Sequence, residues 1–292
     1  MNTPLQDFNI KGLVELMKEY TGEDEVVELE QLLAEIKERR GAPKKFSTGF
    51  ASLEGLTDGF SGGNLVIVSG PSGQGKTTFC KTLTEGFDKN IVWFTFEMPE
   101  DEFAASLKKT AHIYVPKRLE PYSMSFLVNK VAEAVAKYHC EIVFIDHLHY
   151  LVDLRRLGQT QSISLEIGMV VRMLKRLAIE TDILIFLVAH TTKSLHEGVP
   201  SLEDVRDSGL TVAESDFVLF ITRKREKQGK NELPEEGIKY KNESLVSLQK
   251  NRRTGRLGSF SLMCADGKFY EKDTQYFGTN EEGTILPSEI PF

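Results

Sequence analysis

Apolar runs and helical patterns alternate along most of this 292-residue chain. Apolar residues at helical spacing predict helices over 76–87, 100–112, 122–139 and 164–181. Continuous runs of Val, Ile, Leu and Phe predict strands at 65–69, 91–96, 142–146, 183–189, 217–222, 245–249 and 258–263. Such strands separated by helices indicate an α/β fold with a mostly parallel, twisted sheet covered on both faces. The segment 255–269 predicts a late hairpin at the sheet edge, and the charged run 223–243 predicts a surface excursion.

Near the N-terminus, a short apolar pattern in residues 1–22 precedes an amphipathic linker helix of about four turns. The apolar positions of this linker helix are Val26, Leu29, Leu32, Leu33 and Ile36. It is predicted to end before Gly41, and Pro43 prevents its continuation. The apolar stripe packs either on its own domain or on a neighbouring subunit, and the pattern leaves both open. We expect an N-terminal segment at 1–41, one α/β domain at 42–270 and an acidic tail at 271–292.

Composition excludes several classes of protein. The 36 Lys and Arg residues against 43 Asp and Glu residues give a net charge of −7, so any contact with a polyanion must be local. No apolar stretch reaches the roughly 18 residues of a membrane span, and the first residues lack a signal-peptide pattern. Three distant cysteines, Cys80, Cys140 and Cys264, indicate a reducing compartment without disulfides or a zinc site. We expect no membrane association and a cytoplasmic protein.

The strongest motif is the phosphate-loop (P-loop) signature G-x-x-x-x-G-K-[ST] at 70–77, between a predicted strand and a predicted helix. Glycines allow the loop to point main-chain N–H groups inward, and the helix N-terminus adds positive potential. Lys76 is expected to reach the β- and γ-phosphates of ATP, and Thr77 to ligate Mg²⁺. The predicted nucleotide-binding residues are Gly70, Ser72, Gly73, Gly75, Lys76, Thr77 and Thr78.

Two acids follow neighbouring predicted strands. Asp146 ends the strand at 142–146 and is expected to be the second magnesium ligand, although such an aspartate can also cap a helix. Glu97 follows the strand at 91–96, where a carboxylate can deprotonate a water molecule for attack on the γ-phosphate. It can also be an ordinary surface residue. As a base, Glu97 would favour an ATPase over a small-molecule kinase, which needs no hydrolytic water.

Six segments occur in a characteristic order: FSTGFASL at 46–53, GGNL at 62–65, FTFEM at 94–98, FIDHLHYL at 144–151, SLEDVRDSG at 201–209 and LQKNRRTG at 248–255. With the linker helix and the phosphate loop, they resemble the RecA-like motor domain of DnaB-type replicative helicases. The resemblance spans residues 24–270. The Glu-Met pair and the Asp-Val-Arg-Asp-Ser-Gly segment are the parts specific to this family.

The resemblance implies an ATP-dependent DNA helicase that forms a homo-hexameric ring, moves on single-stranded DNA and unwinds duplex at the replication fork. It also implies 5′→3′ movement. Lys250 and Arg252 correspond to the family's finger residues, which enter the neighbouring subunit's site and contact the γ-phosphate there. From the residues alone, these two side chains and Arg253 could equally form a solvated basic patch.

His190 follows the strand at 183–189, where bacterial DnaB proteins usually carry a glutamine-bearing segment. The Val-Ala-His sequence there resembles phage primase-helicases and Twinkle, in which a histidine senses the γ-phosphate; a purely structural histidine is the alternative. This points to a phage-like branch, in a bacterial or phage-infected cytoplasm rather than the mitochondrial matrix. Arg206, Asp207 and Gly209 match the loop that holds single-stranded DNA, although a turn that starts a helix explains them too.

Other expectations concern additional contacts. The segment 155–161, which begins with two arginines, is a candidate for a second loop in the channel. Because only about 23 residues precede the linker helix, we expect no priming activity in this chain. Primase, polymerase or a helicase loader would then be separate chains. The acidic tail, ending in Phe292, is either a solvated end or a polymerase-docking segment.

Two other classes share part of this pattern. A RecA- or RadA-type recombinase would share Lys76, Glu97 and Asp146 but lack the linker helix and the Lys-x-Arg placement. A KaiC-like regulatory ATPase would bind protein clients, and its turnover would not respond to DNA.

Overall fold

The computed structural model describes residues 9–22, 24–40, 44–152, 163–191, 202–205, 208–225, 240–271, 277–279 and 285–287. The chain divides into two compact units, Met1–Pro43 and Lys44–Phe292. The first unit contains α1 (Ile10–Leu16), a short 3₁₀ turn and α2 (Leu29–Arg40). Helix α2 is the predicted linker helix, and its apolar residues Leu29 and Leu33 are exposed.

The second unit is a mixed sheet flanked by helices. Its helices are α3 (Ala51–Thr57), α4 (Lys76–Gly86), α5 (Glu100–Ala105), α6 (Met124–Tyr138), α7 (Ile163–Thr181) and α8 (Ser208–Glu214). Its strands are β1 (Lys45–Phe46), β2 (Phe60–Ser61), β3 (Leu65–Gly70), β4 (Ile91–Thr95), β5 (Ile113–Tyr114), β6 (Ile142–Asp146), β7 (Leu184–His190), β8 (Phe217–Arg225), β9 (Tyr240–Asn251), β10 (Gly258–Ala265), β11 (Lys268–Glu271), β12 (Phe277–Thr279) and β13 (Ile285–Pro287). None of the helices described is long and apolar enough to cross a bilayer.

The large sheet has the order β13-β12-β10-β9-β8-β3-β7-β6-β4-β5, and β11 pairs with β10. Strands β8, β3, β7, β6, β4 and β5 are parallel, whereas the strands from β9 onward pair antiparallel. The parallel part matches the expectation from the continuous apolar runs. These strands are buried on both faces, so alternate residues supply two cores: Val66 and Val68 face one, Leu65 and Ile67 the other.

The antiparallel part was only partly predicted. The hairpin expected at 255–269 is present as β10 and β11, but β8 and β9 extend into the charged run assigned to a surface excursion. The Lys224 ammonium and the Glu243 carboxylate form an ion pair between these two strands. Charged side chains in this run therefore contribute to strand pairing. Residues 226–239 lie outside the described residues. The tail contributes β12, which pairs with β10, and β13, which pairs with β12.

The helix predicted over 100–112 ends at Ala105, because the main chain beyond it forms hydrogen bonds with other elements instead of continuing the helix. The Lys108 N–H donates to the Glu85 carboxylate, and the His112 carbonyl accepts from Ile91 at the start of β4. The chain then pairs with β4 as the two-residue strand β5, which is too short for an apolar run to reveal. Helices α3 and α8, each of seven residues, were missed for the same reason.

Trp93, the one tryptophan of the chain, lies at the centre of one core. Its ring stacks on Phe144 at a centroid distance of 4.7 Å, and its indole N–H donates to the Thr84 hydroxyl at 2.9 Å. Because both partners are buried, removal of the hydroxyl leaves an indole N–H without an acceptor.

We therefore expect Thr84→Val to lower the free energy of unfolding by about 1–3 kcal/mol, measured by urea denaturation followed by Trp93 emission. Thr57→Val is the matched control, because the Thr57 hydroxyl, also buried, donates to the Leu53 carbonyl of its own helix. The control is expected to lose less than about 1 kcal/mol. Equal losses in the two variants would contradict the role assigned to the indole bond.

Candidate nucleotide site

The phosphate loop connects β3 to α4 as predicted, and its glycines adopt conformations that other residues rarely reach. Gly70, Gly73 and Gly75 have φ angles of 146°, 71° and 95°. A Cβ atom at Gly70 would lie 2.3 Å from the Ile221 carbonyl oxygen, so glycine is required there by packing as well. The loop therefore approaches the neighbouring strand closely while its N–H groups remain available to an anion.

Lys76 begins α4 and is almost completely buried. Its ammonium group donates to the Gly70 and Pro71 carbonyls at 2.9 and 2.8 Å. Burial lowers the pKa of this lysine, while the carboxylates of Asp146 and Glu97 act in the opposite direction. The ammonium group thus lies inside the loop, where phosphate oxygens would provide the negative charge that the two carbonyls lack.

Thr77 and Asp146 meet as expected for a magnesium site. The Thr77 hydroxyl donates to Asp146 Oδ2 at 2.7 Å. The other oxygen, Oδ1, is buried without a hydrogen-bond partner among the described residues. A buried carboxylate oxygen without a donor next to a threonine hydroxyl fits the hard oxygen ligands that Mg²⁺ prefers. Burial raises the pKa of Asp146 to about 6, and the Thr77 hydroxyl lowers it in part.

The carboxyl ends of β4, β6 and β7 bring Glu97, His147 and His190 together. Strand β6 lies between the other two, so residues following the three strands meet at one edge. The Glu97 Oε2 and His147 Nε2 atoms are 3.9 Å apart, and the His147 and His190 ring centroids are 4.4 Å apart. His190 also lies opposite Gly70 in the pairing of β3 with β7, so the predicted sensor adjoins the start of the phosphate loop.

These three side chains also form a possible metal-binding set. One ligand atom from each lies within 4.8 Å of the others, and two imidazoles with one carboxylate are donors typical of zinc. The carboxyl edge of the sheet therefore carries two sets of candidate metal ligands. One is the oxygen pair of Thr77 and Asp146, and the other is this cluster of one carboxylate and two imidazoles. The sequence singled out Glu97 and His190 but not His147, although its position directly after Asp146 was a usable signal.

Lys250 and Arg252 lie at the opposite edge of the sheet. Lys250 pairs with Val218 near the start of β8, and the Arg252 N–H donates to the Asp216 carbonyl at 2.8 Å. The Asp216 N–H in turn donates to Leu65, the first residue of β3. Five residues of strand separate Leu65 from the phosphate loop, or roughly 17 Å. The structure therefore does not bring these two residues to the nucleotide site of their own chain.

The two predicted finger residues differ in their surroundings. Arg252 is exposed. The Lys250 ammonium instead donates to the carbonyls of Val212, Ala213 and Ser215 at the end of α8, at 2.6 Å in the case of Ser215. Burial lowers the pKa of Lys250, and the adjacent Arg252 charge acts in the same direction.

Asp216 is a positioning residue that the sequence did not reveal. Its buried carboxylate accepts from the Leu65 N–H at 2.8 Å and from the Lys175 ammonium at 2.6 Å. It therefore ties β3 and α7 to the segment that holds Arg252. An aspartate before an apolar strand is too common a pattern to have indicated this role. Arg253, which the sequence grouped with Lys250 and Arg252 only in the alternative of a solvated basic patch, donates to the Gly59 carbonyl at 2.7 Å and so holds the β2 turn.

Of the predicted DNA-binding residues, only Gly209 is described. It is the second residue of α8, and a Cβ atom there would meet nothing within 4 Å, so packing does not require glycine. Arg206 and Asp207 lie outside the described residues, as does the candidate second loop at 155–161. Val205, which precedes Arg206, forms an isolated bridge with Thr191, which follows His190.

The buried Asp146 carboxylate is expected to destabilise the metal-free protein. Above pH 6 it is ionised in both the folded and the unfolded chain, so folding must desolvate a charge. Below its unfolded pKa of 3.8 it is neutral in both states and this cost disappears. Asp146→Asn should therefore raise the free energy of unfolding at pH 8 by about 1–3 kcal/mol.

The measurement is urea denaturation in EDTA without nucleotide, at pH 8 and at pH 4. The stabilisation should fall toward zero between pH 6 and pH 4. A gain independent of pH would contradict the assignment to the carboxylate charge. Glu141→Gln is a control, because its carboxylate is paired with Lys44 and Lys89 and its pKa is lowered, so it should lose stability instead.

Comparisons with known proteins show what this chain is similar to. A "probable replicative DNA helicase" of Trieres chinensis is 25% identical over 286 residues, covering 85% of this chain and 60% of the relative. Replicative DNA helicase DnaB of Mycoplasma pneumoniae is 27% identical over 274 residues, covering 78% and 57%. The chain thus spans about 60% of the length of these curated relatives.

Two solved structures share the fold at 21% sequence identity. One is a DnaB-like replicative helicase, described with its interactions with primase, at a TM-score of 0.66 over 90% of this chain and 71% of that one. The other is an ATPase domain, at a TM-score of 0.64 over 84% of this chain and 97% of that one. The sequence profile of the DnaB-like helicase C-terminal domain matches residues 46–114 and 104–271. Since these matches cover most of the chain, it belongs to the DnaB-like helicase C-terminal domain family.

Proposed function

We propose that this chain is the motor of a replicative DNA helicase, which hydrolyses ATP to move along single-stranded DNA and unwind duplex at the fork. One observation carries the proposal furthest: Lys250 and Arg252 lie at the edge of the sheet opposite their own phosphate loop. Residues so placed can complete a nucleotide site only in another copy of the chain. A head-to-tail interface of this kind, repeated with closure, generates a ring, and a hexamer is the ring we propose.

Within one subunit, the phosphate loop and Lys76 bind the β- and γ-phosphates of ATP. Thr77 and Asp146 would hold Mg²⁺, which would neutralise charge on the phosphates. Glu97 orients a water molecule and accepts its proton as the water oxygen bonds to the γ-phosphorus and the bond to ADP breaks. The products are ADP and inorganic phosphate. His190, opposite Gly70, is placed to register whether the γ-phosphate is present.

Arg252 and Lys250 act from the neighbouring subunit. An arginine supplied in trans stabilises the charge that develops on the transferred phosphoryl group and makes hydrolysis depend on assembly. Arg252 is exposed and can extend from its own subunit. Lys250 must exchange the three carbonyls at the end of α8 for phosphate oxygens, which are stronger acceptors because they are charged.

Single-stranded DNA is held by Arg206, Asp207 and Gly209, with Arg206 facing a phosphate and the Gly209 N–H approaching the backbone. The bridge between Val205 and Thr191 supports a connection from this loop to His190. Six copies in a ring would confine the positive potential to a channel. That arrangement reconciles DNA binding with a net charge of −7.

The recombinase and regulatory-ATPase alternatives are less well supported, because the family match is to a DnaB-like helicase domain and spans most of the chain, including the Lys-x-Arg placement that a recombinase is expected to lack. The resemblance to the family is the basis for assigning 5′→3′ movement. The assignment to a phage-like branch rests on His190. A primase is a proposed partner, since one of the similar structures is described with its interactions with primase. The first test is ATP hydrolysis with and without single-stranded DNA. Turnover that does not respond to DNA would contradict the proposal, as would an open filament formed on DNA.

We expect Arg252→Ala and Glu97→Gln each to bind ATP normally but to lose DNA-stimulated turnover by about 100-fold or more. When the two variants are mixed before assembly, interfaces that pair an intact Glu97 with an intact Arg252 form again. One interface in four then has both groups, so turnover should recover to as much as about a quarter of wild type.

Arg256→Ala is the matched control, since this exposed arginine of the same segment donates to the Gly55 carbonyl of its own chain. It should keep turnover within about twofold of wild type. A mixture that stays inactive, although both variants assemble, would show that Arg252 does not act in trans.

The exposed apolar stripe of α2 is expected to support assembly. Leu29→Glu combined with Leu33→Glu places two charges on that stripe and should prevent ring formation in ATP and Mg²⁺, measured by light scattering. The control, Glu30→Gln with Glu38→Gln, changes the polar positions of the same helix and should assemble normally. Assembly by the leucine variant would place the ring contacts elsewhere.

A further inference from the structure

His147 directly follows Asp146 and lies at the centre of the strand-end cluster, with only 10% of its side chain exposed. His190 and Tyr150 pack against it, with ring centroids 4.4 and 5.1 Å away. Glu97 lies beyond Nε2. The nucleotide chemistry described above assigns this histidine no part.

The hydrogen bonds of His147 favour one tautomer. Its Nδ1 accepts the main-chain N–H of His149 at 3.3 Å, as the N-cap of the short helix Leu148–Leu151. A ring nitrogen that accepts a hydrogen bond carries no proton, so the neutral ring has its proton on Nε2. The His149 Nδ1 atom lies 3.3 Å from the same acceptor, and a proton there favours the same tautomer. The atom that faces Glu97 is therefore a donor.

We propose that His147 is a positioning residue for Glu97, its Nε2–H holding one carboxylate oxygen and leaving the other to orient the attacking water. The proposal rests on the function proposed above, in which Glu97 is the base. The present Nε2–Oε2 distance of 3.9 Å is that of an ion pair, and catalytic hydrogen bonds commonly tighten when the substrate is bound.

Glu97 needs such a partner because its side chain extends from a turn and is half exposed. It lies two residues beyond the end of β4, and 48% of its side chain is exposed. The Thr95 hydroxyl, which donates to the Met98 carbonyl, holds the main chain of this turn but leaves the carboxylate free to rotate. A misplacement of about 1 Å in a reacting group can cost 100-fold in rate, so a buried donor directly after β6 changes the rate substantially.

The same cluster could instead hold a transition metal, which would need the lone pair of His147 Nε2. A metal-bound imidazole normally donates its other N–H to an acceptor, whereas Nδ1 of His147 meets the His149 N–H. The observed hydrogen bond thus favours a proton on Nε2 and an interaction with the carboxylate.

The test compares His147→Asn with His147→Gln. Asparagine keeps an oxygen that caps the short helix but does not reach Glu97, whereas the longer glutamine places an amide N–H near the former Nε2 position. With saturating DNA, His147→Asn should lower kcat by about 10- to 100-fold with little change in KM for ATP. His147→Gln should recover most of the loss, and the control Tyr150→Phe, which keeps its ring contacts, should match wild type.

A double-mutant cycle with Glu97→Gln shows whether His147 acts through Glu97. If it does, His147→Asn has little further effect once the base is absent. An equal loss in both backgrounds, a rise in KM alone, or no recovery with glutamine would overturn the proposal. An unaltered kcat in Glu97→Gln itself would instead overturn the base assignment.

A second readout needs no activity. Nitrogen-15 NMR of the nucleotide-free protein, with His147 identified among the six histidines by substitution, should show a proton on Nε2 and none on Nδ1. The reverse tautomer, or one equivalent of zinc retained after dialysis and lost in His190→Ala, would overturn the positioning role. Either result would leave the proposed helicase function untouched.

Discussion

The parallel pairing of β4, β6, β7 and β3 is the constraint on which the site depends. Parallel neighbours have their carboxyl ends at the same edge of the sheet. Residues that are distant in sequence therefore meet there as a result of strand pairing alone. Asp146, His190 and Gly70 each end one of these strands, and Glu97 follows a fourth. The antiparallel return of β9 has the opposite consequence: it carries Arg252 to the other edge, beside the start of β3.

The sequence predicted the parallel half of the fold well because two independent signals coincide there. Buried strands require continuous apolar runs, and the phosphate loop requires glycines, lysine and threonine at fixed spacing. The strand 142–146 was predicted at its observed bounds for this reason. By contrast, β9 begins at Tyr240 among charged residues, and the Lys224–Glu243 ion pair joins it to β8 where the apolar pattern is absent. Periodicity alone does not reveal a strand of that kind.

The sequence predicted those site residues to which a motif assigns a single chemical role. Thr77 and Asp146 could be paired from their motifs, and the hydrogen bond between them agrees with that pairing. Positioning residues could not be identified in this way. The position of His147 after Asp146 was visible in the sequence, but its role depends on Glu97, 50 residues earlier, and Asp216 depends on a lysine 41 residues away. Such partners are determined by tertiary packing, which spacing in one sequence does not encode.

Without ligand, this site lowers the stability of the folded chain. Burial lowers the pKa of Lys76 and raises that of Asp146, so each group is held in the folded chain at a cost to its charged form. The Lys76 ammonium has neutral carbonyl partners, and one oxygen of Asp146 has none among the described residues. The proposed ligands, a phosphate group and a divalent cation, would bring the missing charges. Their binding would therefore stabilise the folded state, by an amount that grows with ligand concentration relative to the dissociation constant. Lys76 and Asp146 can therefore remain buried in the ligand-free chain because the proposed substrate and its cation would bring the counter-charges.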